Sequence, residues 1–305
     1  MYAYNNKMKY QQLGTSDLHI SQISFGCMSL KPGVPASKEV LQRAVDAGIN
    51  YFDTADLYDK GLNEELVGQA LNEKRKEIIL ATKVGNQWRE DGSGWDWNPD
   101  KNYILESVEK SLNRLGTDYI DLYQLHGGTL QDSIDEIIEV FELLVQQGKI
   151  RYYGISSIRP AVIREWAQRS RIISVMTQYS LLDRRPEETV LPLLQQKKIG
   201  VLTRGSIAQG LLIDKEPREY LGYNKKDVEK AAAGIRSVSV PHRTPAQTAL
   251  QFALSNPAVT SAVVGIRTQE QLEEAAQSVH VPALTLQELA FLQMLISPNY
   301  YQEHR

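Results

Sequence analysis

The 305-residue chain is 42% apolar and 23% charged, an ordinary globular composition at a length that fits one large α/β barrel and buries a core without disulfides or metal. Its net charge of −3, with no basic block, argues against nucleic-acid binding, and Cys27 as the only cysteine excludes an intramolecular disulfide and the common four-ligand zinc pattern. The polar Met1–Gln12 stretch has no apolar centre, and no run reaches the roughly 20 apolar residues of a membrane helix, so the chain reads as a cytoplasmic protein with no signal peptide, no membrane partner and no metal site.

Leu13-Gly14-Thr15-Ser16-Asp17-Leu18 reads as the turn of an N-terminal β-hairpin. Ile23–Met28 is a first core strand, and the helix from Ala36 to Ala47, with Val40, Leu41, Ala44 and Val45 on one face, closes at Gly48. A short strand over Asn50–Phe52 delivers Asp53, with Tyr58 in the loop beyond it. Asn63 is read as the cap of a helix through Leu66, Val67, Ala70 and Leu71, before a strand over Ile78–Val84 that carries Lys83. The stretch from Gly85 to Pro99 is read as a long loop that holds Trp88, Trp95 and Trp97, as apt to pack the loop as to wall a pocket.

A helix through Ile104, Val108, Leu112 and Leu115 leads to a strand over Tyr119–Leu125 that ends at His126. Ile134, Ile137, Ile138, Phe141, Leu144 and Val145 form the cleanest amphipathic stripe. Strands over Ile150–Ile155, Ile172–Thr177 and Ile199–Thr203 end at Ser156, Gln178 and Arg204, with helices after the first two through Val162, Ile163 and Trp166 and over about Glu187–Gln196. Asp214–Val240 is a polar insertion. Thr244–Gln247 is a capping box with proline at the first helical position, and Ser261–Val264 is a last strand ending at Gly265. Thr268 with Gln271 reads as a second capping box, and Thr285 with Glu288 opens the final helix before a polar tail.

Strict strand–helix alternation predicts a parallel sheet, and eight such units predict a single (β/α)8 TIM barrel domain over 1–305, with the N-terminal β-hairpin and extra helices near the C-terminus. No G-x-G-x-x-G follows the first strand, which disfavours a Rossmann site. In such barrels the active site lies at the C-terminal strand ends, where Asp53, Lys83 and His126 fall, with Tyr58 close by. A neighbouring ammonium makes a phenol a readier proton donor. Lys83 can supply that charge to Tyr58, Asp53 can hold Lys83, and His126 can hydrogen-bond a carbonyl oxygen. With no obvious nucleophile in the set, a hydride from a bound cofactor is the plausible attacking species.

Gly48–Tyr58, Ala81-Thr82-Lys83 and Asp121–His126, together with Gly154–Ser157, Gln178–Ser180 and Gln209–Leu212, resemble the aldo-keto reductases over nearly the whole chain. The resemblance implies NADPH-dependent reduction of a small-molecule aldehyde or ketone, with Asp53, Tyr58, Lys83 and His126 as the catalytic tetrad. It further implies that Ser156 and Gln178 hold the nicotinamide carboxamide. Arg204, where many members carry an aromatic residue, would stack on the nicotinamide ring. Gly265 and Arg267 would take the adenosine 2′-phosphate side, Arg267 carrying the phosphate charge beside the helix start at Thr268, with Gln271 and Glu274 as further NADP+ contacts. Ala275 stands where the family usually has asparagine. Two rival functions are a non-catalytic NADP(H)-sensing barrel subunit and an aldolase with Lys83 as Schiff-base former; a Lys83 paired to Asp53 and so kept charged argues against the latter.

Overall fold

The computed structural model describes residues 8–239, 241–303 and 305. The polar start read as lacking a signal peptide falls largely on residues 1–7, outside the described residues, as do Val240 and His304. No helix among the described residues is long and apolar enough to cross a membrane, and no group of His, Cys, Asp and Glu among them could hold a metal ion.

The N-terminal hairpin pairs β1 (Tyr10–Gln12) with β2 (His19–Ser21), antiparallel. Its turn brings Leu13, Leu18 and Ile20 against Ile79, Leu122, Ile173 and Leu202, closing the barrel at the N-terminal strand ends. Gly14 is required there twice over: its φ is +58°, and a Cβ would sit 2.2 Å from the Ile173 carbonyl oxygen.

The chain then alternates. β3 (Ile23–Gly26) is followed by α1 (Pro35–Asp46), β4 (Tyr51–Asp53) by α2 (Leu62–Leu71), and β5 (Ile79–Val84) by a small hairpin of β6 (Asn86–Trp88) and β7 (Trp95–Trp97) before α3 (Lys101–Leu115). β8 (Ile120–Leu125), β9 (Ile150–Ser156) and β10 (Ser174–Gln178) lead into α4 (Ile134–Gln146), α5 (Pro160–Arg169) and α6 (Val190–Lys197) respectively. β11 (Gly200–Arg204) is followed by α7 (Lys225–Ser237) and α8 (Pro245–Leu254), and β12 (Val259–Gly265) by α9 (Gln269–Gln277) and α10 (Leu286–Leu295). The eight core strands pair parallel in chain order and β12 closes on β3, giving the (β/α)8 barrel read from the alternation. α7 and α10 are the extra helices. They pack on each other, with Leu292 and Leu295 against Gly234.

Several local expectations are corrected. The first core strand stops at Gly26, and Cys27–Ser29 turn into a 3-10 segment. Asn63 does not cap α2. It is buried in the first helical turn, where its amide donates to the Cys27 carbonyl (2.9 Å) and accepts from Thr54 Oγ1 (2.7 Å). Its polarity serves the strand ends rather than the helix end. The supposed loop over 85–99 is an ordered hairpin, because Gln87 and Asp96 face each other between two flanking pairs, Asn86 with Trp97 and Trp88 with Trp95. The polar insertion contains α7, capped by Asn224, whose side chain accepts from the Asp227 N–H (3.0 Å). Thr244 and Thr285 form reciprocal capping boxes. Thr268 does not: its hydroxyl accepts from the Gln271 N–H, but the Gln271 side chain caps the Arg267 N–H (3.0 Å) instead. The tail is not wholly solvated, since Tyr301 is buried under the Arg185 guanidinium.

Candidate active site

β4 has three residues, all buried, and ends on Asp53, which is 4% exposed. β5 beside it is buried throughout and carries Lys83, which is 0% exposed. A buried ammonium persists only when its protons are matched. Lys83 Nζ donates to Asp53 Oδ1, to the Thr54 carbonyl (2.7 Å) and to the Tyr58 hydroxyl (3.3 Å). Burial alone would lower the Lys83 pKa. The Asp53 charge and then Tyr58 more than offset it, and the net shift is upward, so Lys83 stays an ammonium. Burial pushes the Asp53 carboxyl upward, against the pull of Lys83 and of the Gln124 amide, which donates to Asp53 Oδ2 at 3.1 Å. With an ammonium on one oxygen and an amide on the other, the ionised carboxylate is the form these contacts select.

Tyr58 reaches this pair from the turn after β4. Its ring stands edge-on to the His126 ring, with centroids 5.9 Å apart and planes at 84°. His126 follows β8, its backbone N–H donating to the Val84 carbonyl (2.7 Å) and its carbonyl accepting from Asn86 Nδ2 (3.0 Å). Burial, then the Lys83 and Arg204 charges, push its pKa down to about 3, so the imidazole is neutral. Its Nδ1 is buried with no partner among the described residues.

The four residues singled out for chemistry therefore meet at one rim. Asp53, Tyr58 and His126 line a cavity of about 710 Å³ that also takes in Ser156, Gln178, Arg204 and Gly265, the last residues of β9, β10, β11 and β12. Trp95, Trp97, Leu57 and Met28 supply apolar wall. Gln178 is engaged at both ends of its amide: Nε2 donates to the Tyr220 hydroxyl (2.9 Å) and Oε1 accepts from Arg204 Nη1 (3.1 Å). Arg267, Gln271 and Glu274 lie outside this cavity wall, at the start of α9 and within it. Arg267 is exposed, and its guanidinium makes no hydrogen bond or ion pair among the described residues.

Sequence reasoning missed Gln124 and Tyr220. Gln124 carries a visible signal, a long polar side chain beside the apolar Leu122, Tyr123 and Leu125 in the strand Ile120–Leu125, where it is fully buried. Tyr220 carries none, since it sits in the polar insertion and reaches Gln178 only through tertiary folding.

A closed parallel barrel with an ammonium, a phenol, a carboxylate and a neutral imidazole at its C-terminal rim defines a class, and comparison with known proteins gives the family. The aldo/keto reductase family model matches residues 22–296, and the chain belongs to this family. It is 48% identical to the uncharacterized oxidoreductase YqkF of Bacillus subtilis over 98% of this chain and 100% of that one. The holo form of aldo-keto reductase AKR11C1 from Bacillus halodurans superposes with a TM-score of 0.92 at 48% identity, covering 98% of this chain and 99% of the other. The NADH-specific methylglyoxal reductase of Escherichia coli is 34% identical over 70% of this chain and 72% of its own.

Proposed function

We propose that the protein, acting as one barrel domain in the cytoplasm, reduces aldehydes or ketones to alcohols with NADPH. The carrying observation is the Lys83 ammonium shared between Asp53 and the Tyr58 hydroxyl beside a neutral His126. The cavity wall suits a nicotinamide dinucleotide. Ser156 and Gln178 offer a hydroxyl and an amide for a carboxamide, and Arg204 offers a guanidinium plane for a ring. Asp53, the carboxylate on that wall, is already paired with Lys83. Gly265, Arg267, Gln271 and Glu274 would serve the phosphate end, Arg267 and the α9 N-terminus taking the 2′-phosphate.

The bound cofactor would supply a hydride to the carbonyl carbon. As that bond forms, the carbonyl π electrons move to oxygen, and Tyr58 transfers its proton to that oxygen. His126 holds the same oxygen by a hydrogen bond, and because it is neutral it orients without competing as the proton source. Lys83 stabilises the phenolate that remains, and Asp53 with Gln124 keeps the ammonium in place. The apolar wall of Trp95, Trp97 and Leu57 limits water at the reacting carbon.

Turnover is tested by following nicotinamide absorbance with NADPH or NADH against a panel that includes methylglyoxal and aromatic aldehydes. Oxidation of the cofactor with matching alcohol supports the reading. Tight nucleotide binding with no turnover on any carbonyl would point instead to a sensing subunit, and borohydride trapping of a carbonyl on Lys83 to an aldolase.

A further inference from the structure

The proposed proton donor sits on an unusual piece of backbone. Tyr58 is followed by two non-glycine residues in left-handed conformation, Asp59 (φ 48°, ψ 37°) and Lys60 (φ 57°, ψ 37°), and then by Gly61 at φ 90°. Left-handed φ is unfavourable for residues with a Cβ, and two in succession persist only where the surroundings hold them. Little within the turn does so: the Tyr58 N–H donates to the Ala55 carbonyl at 3.1 Å and the Lys60 N–H to the Leu57 carbonyl at 3.4 Å.

The hairpin that sequence reasoning took for a loop supplies the rest. Trp88 Nε1 donates to the same Leu57 carbonyl at 3.0 Å. The Lys60 ammonium lies over the Trp88 ring, 5.1 Å from its centroid. The hairpin tip closes on Lys60 as well, since a Cβ on Gly92 would stand 2.7 Å from Nζ. On the other side, a Cβ on Gly61 would collide with the Arg114 guanidinium at 2.7 Å, and Arg114 is fixed by the fully buried Glu64. The turn is thus gripped between the β6–β7 hairpin and α3.

We infer that Trp88 is a positioning residue for the reductase chemistry proposed above: its indole N–H and ring face clamp the Leu57–Gly61 turn and so set the Tyr58 hydroxyl against Lys83. Trp88 does not line the cavity, so its effect passes through the turn. This inference rests on the role proposed for Tyr58, but the clamp itself has a readout that needs no turnover.

Three variants test it, with circular dichroism to establish that each is folded. Trp88→Phe keeps a smaller aromatic face for Lys60 and removes the N–H donor. It is expected to speed amide hydrogen exchange, read by mass spectrometry, in the peptide covering residues 55–62 about tenfold. With methylglyoxal or an aromatic aldehyde it is expected to lower kcat about tenfold while leaving the Kd for NADPH unchanged. Asp59→Gly alone is expected to leave kcat unchanged. In the Trp88→Phe background Asp59→Gly is expected to restore most of the lost kcat, because glycine holds φ of 48° without cost. Unchanged exchange in Trp88→Phe overturns the clamp whatever the activity. Faster exchange with unchanged kcat, or a loss of kcat that Asp59→Gly does not restore, overturns the link to Tyr58. If the wild-type protein reduces no carbonyl, the exchange result still decides the clamp, and the reductase reading fails separately.

Discussion

Gln124 holds the oxygen of Asp53 that Lys83 does not, its amide nitrogen 3.1 Å from Oδ2. The two contacts leave Asp53 no freedom to turn away from the ammonium, so the Lys83 position, and with it the charge offered to Tyr58, depends on a glutamine one strand further on. Gln124→Leu removes the amide at similar bulk and leaves a buried carboxylate oxygen unmatched. Loss of such a partner costs about 1–3 kcal/mol, and a urea melt should show a loss of that size. Turnover should fall about tenfold through displacement of Lys83, whereas nucleotide affinity should hold, because Gln124 lies outside the cavity wall. A variant with full stability and full kcat would show that Asp53 needs no second anchor.

Tyr58→Phe removes one oxygen and keeps the ring that stands against His126 at 84°. Positioned proton transfer is worth roughly a hundred- to ten-thousandfold in rate, so kcat should drop within that range while the Kd for NADPH, read by fluorescence quenching, stays within about twofold of wild type. Loss of cofactor binding in this variant would remove Tyr58 from the proton-donor role.

The barrel and the meeting of Asp53, Lys83 and His126 were legible because both follow from periodicity. Strand–helix alternation fixes the parallel sheet, and residues at or next to the C-terminal end of each parallel strand land on the same rim whatever the loops do. Legibility failed where a residue's partner is distant and its local signal has another explanation. Asn63 looks like a helix cap in sequence because caps are asparagine-rich, yet its amide is used across the strand ends on Cys27 and Thr54. Gln271 has the spacing of a capping box with Thr268, but its side chain reaches one residue further back, to the Arg267 N–H. The Gly85–Pro99 stretch hid a hairpin because its strands are three residues each, too short for alternation to register, and its turn is held by Arg89 on Asp96, an ion pair that composition does not reveal.

The neutral His126 makes stability depend on acid. Its pKa is pushed from 6.5 down to about 3 in the fold, so between those limits the unfolded chain binds a proton that the native protein does not. Stability therefore rises with pH across that window, and the contribution is lost as pH falls below 6.5. The slope from one such group is at most about 1.4 kcal/mol per pH unit. His126→Asn removes it, so urea midpoints measured at mildly acidic pH should fall less steeply in the variant than in the wild type. Parallel curves would mean that the imidazole is protonated in the native site. Above neutrality His126 adds no inflection to the rate profile, since it does not titrate there.

In the proposed reductase, Arg267 is the residue expected to discriminate between NADPH and NADH. Its guanidinium is exposed and unpaired among the described residues, and its backbone N–H is already taken by Gln271, so the side chain alone is left for a ligand. An exposed arginine on a phosphate forms charge-assisted hydrogen bonds that NADH, lacking the 2′-phosphate, cannot receive. Arg267→Ala should thus weaken NADPH about tenfold to a hundredfold and change NADH by less than about twofold, a difference of roughly 1.4–2.7 kcal/mol. Titration calorimetry with both nucleotides, repeated at raised salt to screen the exposed charge, makes the comparison directly. Higher salt should erode the NADPH preference of the wild type and leave the variant nearly unmoved. Equal weakening of both nucleotides would place Arg267 on a part they share, and a wild-type protein that binds NADH the tighter would take the 2′-phosphate away from this residue altogether.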